Sequence, residues 1–132
     1  TMRCLIVDPS SASRKKLVRH LERCRQRTEH VVEAEDVGAA VNAFDAEAAD
    51  VVFVDLLAPG EFTALDAIEY FQDEHPDCEV VAMGSLSEDA VDVMAAKNVG
   101  VLAYLPKPVQ PEAVQSVLDQ IDQMSSGFGR IK

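Results

Sequence analysis

Asp8, Asp55, Ser85 and Lys107 are the side chains whose types and spacing suit chemistry. Each follows a short apolar run, directly or within a few residues. The runs are Arg3–Val7, Val51–Val54, Glu79–Met83 and Val101–Leu105. If the runs are strands of one parallel sheet, their carboxyl ends share one edge, where such sheets place ligands. Two carboxylates, a hydroxyl and an ammonium meeting there suit phosphoryl transfer. Carboxylates hold a hard divalent cation, the cation and the ammonium neutralise phosphoryl oxygens, and the hydroxyl donates to one of them. A carboxylate can also be the nucleophile, giving an acyl phosphate. Each residue has a plainer role as well: Asp8 and Ser85 as helix caps, Asp55 as a loop acid, Lys107 as a solvated lysine.

The elements that would position them alternate along the chain. After the first run, Ser10 or Ser11 can cap a helix reaching about Arg25, with Leu17, Val18, Leu21 and Cys24 at helical spacing. Glu29–Ala34 reads as a second strand, and Asp36 caps a helix with Val37, Ala40, Val41 and Phe44 on one face. Val51–Val54 carries four apolar residues in a row, the pattern of a strand buried on both faces. Thr63 caps a third helix with Leu65, Ile68 and Phe71 inward, ending before Pro76. Glu79–Met83 is strand four. A capping box at Ser85-x-x-Glu88, or a cap at Ser87, predicts a fourth helix with Val91, Met94 and Ala95 inward, stopped by Asn98 and Gly100. Val101–Leu105 is strand five. Pro106-Lys107-Pro108 is a stiff connector, and Pro111 opens a fifth helix with Val114, Val117, Leu118 and Ile121 at i, i+3, i+4, i+7. Five strands alternating with five helices predict an α/β domain with a doubly wound parallel sheet. It spans residues 2–124, followed by a flexible tail over 125–132.

The chain has 132 residues, 48% of them hydrophobic and 27% charged, as expected for one globular domain. No apolar run is long enough to span a bilayer, so a cytoplasmic protein without membrane contact is expected. A net charge of −11 argues against nucleic acid as a partner, because phosphate contacts need Lys and Arg. The charge is uneven: seven of the twelve basic residues lie between Arg14 and Arg27, whereas Thr28–Ala96 has eighteen acids and no Lys or Arg. Such a cluster is either a solvated helix face or a docking face for an acidic partner. Cys4, Cys24 and Cys78 lack metal-ligand spacing and read as core fillers; His20 is expected on a helix surface.

Several stretches in order resemble the receiver domain of two-component response regulators, the CheY-like family. They are L-I-V-D8 with Arg14 six residues on, A34-E-D-V-G-A-A-V, D50-V-V-F-V-D55-L-L-A-P59, V80-V-A-M-G-S85 and G100-V-L-A-Y104-L-P-K107-P108. The resemblance covers residues 3 to 124. It implies a flavodoxin-like three-layer sandwich with strand order 2-1-3-4-5. It also implies a signalling domain rather than an enzyme, one that at most catalyses its own phosphorylation and dephosphorylation. Asp55 matches the phosphoacceptor, served by a phosphohistidine on a histidine kinase or histidine phosphotransfer protein. Ser85 matches the hydroxyl that closes on the phosphoryl group and Lys107 the lysine paired with the aspartate. Asp8, Asp55 and the backbone carbonyl of Leu57 match the protein ligands of Mg2+. Tyr104 matches the aromatic whose rotamer accompanies switching of a face formed by helix four, strand five and helix five, which contacts a downstream protein target. The first helix matches a docking surface for the phosphodonor.

The departures define an alternative. Pro9 stands where the family has a second acid, which removes a charge and an oxygen ligand from the Mg2+ site. Leu86 replaces a small residue beside Ser85 and is expected to narrow access to Asp55. Ala58 and Thr63 reshape the loop after Asp55. A degenerate receiver that binds a protein partner without Mg2+-dependent phosphorylation is the resulting alternative. An aspartate-nucleophile phosphatase is disfavoured, since Leu57 occupies the place of its second acid.

Overall fold

The computed structural model describes residues 1–24 and 27–126, without the side chains of 125 and 126. Among the described residues, five strands and five helices alternate. They are β1 (Met2–Val7), α1 (Ser11–Glu22), β2 (Thr28–Ala34), α2 (Val37–Ala46), β3 (Val51–Asp55), α3 (Ala64–Glu74), β4 (Glu79–Gly84), α4 (Val91–Asn98), β5 (Ala103–Pro106) and α5 (Pro111–Ser126). The sheet is parallel, in the order β2-β1-β3-β4-β5. This is the CheY-like flavodoxin fold, as expected.

Alternation along the central strands explains their apolar runs. Val52 and Val54 of β3 join a core with Val37 and Phe44 of α2, Ile68 and Phe71 of α3 and Val93 of α4. Val51 and Phe53 join a second core on the other face, with Leu17 and Leu21 of α1 and Val114 and Leu118 of α5. Both faces of β3 are therefore covered, and a polar residue within it would have no partner until the strand ends. The first polar side chain after Val51–Val54 is Asp55.

Helix caps follow the sequence in three cases. Ser10 accepts from Ser13 N–H, Asp36 from Ala39 N–H, and Thr63 forms a reciprocal capping box with Asp66. The fourth helix departs from expectation. It starts at Val91 after Ala90, with no side-chain cap, so neither Ser85 nor Ser87 caps it; Ser87 Oγ instead bonds Asp89 at 2.9 Å. Its inward residues are Val93 and Ala96, whereas Val91 and Met94 are exposed and Ala95 is half-buried. The helix is only two turns long, and its apolar residues are too evenly spread for spacing alone to fix which side faces inward.

Smaller shifts occur elsewhere. Ladder pairing of β5 begins at Ala103 rather than Val101, because Gly100 takes a positive φ of 98° and the chain turns before joining β4. In α3, Ala64 and Ala67 are buried with Ile68 and Phe71, while Leu65 is half-buried. His20 is buried rather than on the surface: its ring packs under the segment after β5, with Nε2 3.2 Å from the Val109 carbonyl. Helix α5 runs through Ser126, two residues into the expected tail; the remainder of that tail lies outside the described residues, as does Arg25 of the basic cluster.

Candidate functional site

Register brings two carboxylates side by side. Val7 of β1 pairs with Val54 of β3, so the next residues, Asp8 and Asp55, emerge together at the carboxyl edge. Each is fixed by its own backbone. Asp8 Oδ1 accepts the Ser10 N–H at 2.8 Å, a turn spanning Pro9 that leads into the Ser10 cap of α1. Asp55 Oδ1 accepts the Leu57 N–H at 2.7 Å, and Ala58 N–H closes on the Asp55 carbonyl at 3.0 Å. Asp8 is fully buried and Asp55 nearly so.

Lys107 completes the group. Its backbone N–H donates to the Gly84 carbonyl at 2.8 Å, which sets it at the end of β4, and the Lys107–Pro108 peptide is cis. The ammonium lies 2.6 Å from Asp8 Oδ2 and 2.5 Å from Asp55 Oδ2. Burial lowers the pKa of such an ammonium, but the adjacent carboxylates of Asp55 and Asp8 outweigh it and raise Lys107 above its ordinary value. The approach to Asp8 Oδ2 is off the hydrogen-bonding direction. That oxygen is held by charge alone and remains a buried acceptor without a directed donor.

Ser85 is not drawn into this group. It follows Gly84 directly, is exposed, and makes no side-chain hydrogen bond among the described residues. Tyr104 is buried, its hydroxyl donating to the Leu86 carbonyl at 2.7 Å and accepting the Leu86 N–H at 3.0 Å. Burial raises the Tyr104 pKa. A Cβ on Gly84 would stand 3.3 Å from that hydroxyl, a crowded contact that would press the inward-lying ring by a few tenths of an ångström. Leu86, expected to narrow the approach to Asp55, is half-buried and packs against the α2–α3–α4 core.

Two residues near the site carry more than the sequence indicated. Arg14 donates to the Asp8 carbonyl at 2.7 Å and to Glu33 at 3.0 Å, tying α1 and β2 to the end of β1. Burial pushes the Glu33 carboxyl up, but its bonds to Lys15 and Arg14 hold it below the usual range. Lys16, exposed on α1, lines a cavity of about 170 Å³ with Asp8, Lys107 and Val109. Neither role shows in spacing: both depend on which side of α1 faces the sheet edge. The basic cluster is also partly spent within the fold. Arg14 and Lys15 pair with Glu33, and Arg27 pairs with Asp119 and Asp122 of α5, leaving Lys16, Arg19 and Arg23 without an acid among the described residues.

Mg2+ prefers oxygen ligands and is commonly held by one or two carboxylates plus waters. Asp8 and Asp55 fit that in kind, and the undirected Asp8 Oδ2 is an oxygen a cation would satisfy. The set is thin, however. Pro9 contributes nothing, and no cluster of three acidic, His or Cys side chains exists among the described residues. A cation would also compete with Lys107 for Asp8.

A family model described as the response regulator receiver domain matches residues 4–119. The solved receiver domain of AraT, a response regulator from Geobacillus stearothermophilus, is 25% identical with a TM-score of 0.82, covering 92% of this chain and 93% of that one. The signal receiver domain of the response regulator NarL from Mycobacterium tuberculosis is 24% identical with a TM-score of 0.80, covering 92% and 97%. The isolated receiver domain of RcsB from Salmonella enterica serovar Typhimurium, solved with phosphomimetic BeF3−, is 19% identical with a TM-score of 0.83, covering 93% and 89%. No curated protein matches the chain. Among the described residues no helix is long and apolar enough to cross a membrane. With the matched model spanning both strand-end aspartates and the lysine paired to them, this chain belongs to the receiver domains of two-component response regulators.

Proposed function

We propose that this receiver accepts a phosphoryl group on Asp55 from a phosphohistidine of a histidine kinase or phosphotransfer protein. The observation that carries this reading is the geometry of Lys107, whose ammonium touches both Asp55 and Asp8 at the carboxyl edge. In the transfer, an Asp55 carboxylate oxygen bonds to phosphorus as the P–N bond breaks, and the imidazole leaves with its electron pair. The acyl phosphate carries about −2 in place of the carboxylate's −1, so Asp8, Lys107 and the phosphorylated Asp55 sum to about −2. Bound at Asp8, Asp55 and the Leu57 carbonyl, Mg2+ would supply the balancing charge. Lys107 would stay on the Asp55 side, and the exposed Ser85 hydroxyl would swing in to donate to a phosphoryl oxygen. The Tyr104–Leu86 clamp spans the same loop, so movement of Ser85 would release Tyr104 and alter the α4–β5–α5 face offered to a downstream protein.

Pro9 favours a second reading, in which Lys107 alone balances the aspartates and the domain binds its partner without Mg2+-dependent phosphorylation. Intact mass after incubation with a small acyl phosphate, with and without Mg2+ and beside Asp55→Asn, separates the two. A Mg2+-dependent gain of one phosphoryl group that Asp55→Asn lacks supports the phosphoacceptor. No gain under any condition supports the phosphorylation-independent adaptor.

A further inference from the structure

Phe62 and Leu57 stand 57% and 59% exposed, and neither belongs to the two apolar cores. Two clefts flank Phe62 and share it as a wall. One, of about 320 Å³, runs past Leu57 to Asp92 of α4. The other, of about 340 Å³, lies between α2 and α3, against Val41, Tyr70 and Asp66. Each volume is at the low end of the ~300–1,000 Å³ typical of ligand sites, enough for a large side chain but small for a cofactor. An exposed apolar strip of this kind, rimmed by charge, is the usual form of a protein-docking site.

The charge selects the occupant. Asp66 and Asp92 each line a cleft, Glu61 is exposed beside Phe62, and the whole stretch from Thr28 to Ala96 contains no Lys or Arg. We propose that this surface docks a basic amphipathic helix of a partner protein, with one large apolar side chain entering each side of Phe62 and Lys or Arg facing the acidic rim. The mode is helix-in-groove recognition. A second copy of this chain fits poorly. Its basic helix α1 buries Leu17 and Leu21 against its own sheet and has no apolar face left to offer. The surface lies on the α2–α3 side of the sheet, away from α1 and α5, and the inference holds whether or not Asp55 is phosphorylated.

The test uses a labelled Leu/Lys amphipathic peptide about four turns long, its Leu/Glu counterpart, and the full chain. Binding is followed by fluorescence anisotropy and by amide chemical-shift mapping. The expected result is saturable binding of the Leu/Lys peptide only, with shifts centred on Leu57, Phe62 and Tyr70. Phe62→Ser, at an exposed site and with its fold checked by circular dichroism, should weaken it about tenfold as loss of a central anchor does. Glu61→Gln and Asp92→Asn should each weaken it by roughly threefold and reduce its salt dependence, while Glu112→Gln on α5 should change nothing. Shifts centred on another face, equal binding by Phe62→Ser, equal binding of the Leu/Glu peptide, or concentration-dependent dimerisation through Phe62 in sedimentation would each overturn the proposal.

Discussion

Replacing Lys107 by Met leaves Asp8 and Asp55 facing each other without a cation. Their side chains are 1% and 8% exposed, and the ammonium that separates them lies within 2.6 Å of both. Removing one partner of a buried ion pair costs about 3–5 kcal/mol, because the remaining charge is neither paired nor solvated. Lys107 retains 15% exposure, which places the expected loss at the lower end, about 3 kcal/mol. Unfolding entropy near 2.1 cal/mol/K per residue gives about 0.28 kcal/mol/K for this 132-residue chain, so Tm should fall by about 11 °C. Thermal and urea unfolding at neutral pH, followed by circular dichroism, measures both. Asp8→Asn in the same background removes the like-charge contact and should recover most of the loss, whereas a packing defect would not be recovered. The pH dependence has a definite sign. A lysine whose folded pKa is raised above the ordinary 10.5 contributes its stabilisation fully below that pH and loses it as pH rises through the folded value. The gap between wild type and Lys107→Met should therefore be flat through neutral pH and close only in strong alkali. A Tm change under about 3 °C, well below the worked value, or a double variant no better than Lys107→Met, would refute the view that Lys107 is the resident countercharge of the two aspartates.

Pro9→Asp should tighten Mg2+ binding by roughly tenfold, since a carboxylate about 4 Å from a divalent cation is worth up to ~2 kcal/mol even in water; the shift in Tm with added Mg2+ reads this without any phosphodonor, and no change would mean Pro9 does not weaken the site. Charge reversal at Arg19 and Arg23, both exposed along α1 and its C-terminal end and without an acidic partner among the described residues, should slow transfer from a phosphohistidine protein by about tenfold but leave transfer from a small acyl phosphate unchanged. Equal slowing with both donors would count against docking on α1. Burial pushes the Cys4 and Cys78 thiols up to about 12, so at pH 8 a thiol reagent should modify half-buried Cys24 first and reach the other two only on unfolding. By the same sign rule these thiols make the fold lose stability as pH rises from about 9 towards 12, by a few kcal/mol in total, visible as a falling urea midpoint.

What the sequence disclosed and what it hid divide along physical lines. The strand ends of β1 and β3 were legible because an uninterrupted apolar run in a doubly covered strand admits no polar residue until it leaves the core, which is where Asp8 and Asp55 stand. The Lys107 position was legible from its two flanking prolines. The orientation of α4 was not, because Val91, Val93, Met94 and Ala96 offer apolar atoms on nearly every side, and only packing against α3 and β5 chooses Val93 and Ala96. Nor was the state of Ser85, a hydroxyl one residue beyond the sheet, where no core contact dictates the direction of its side chain. His20 reads as a surface residue because it sits among basic residues on α1; what buries it is the segment around Val109, far away in sequence.

The charge count at the site links the altered sequence to a change of behaviour. A second acid at position 9 would leave Asp8, Asp55 and their neighbour at −3 before Lys107, a site that calls for a cation at rest. With Pro9 the two aspartates carry −2, and one lysine in ionic contact with both brings the sum to −1. A single ammonium then serves the resting state, and demand for a divalent cation rises only when a phosphoryl group adds charge on Asp55. On this account Mg2+ affinity should be low in the unmodified protein and higher once BeF3− occupies Asp55, with the two ligands reinforcing each other equally, as linkage requires. Titrating Mg2+ calorimetrically with and without BeF3− measures that coupling. Equal affinity in the two titrations would show that Lys107 does not serve the resting site in place of a divalent cation.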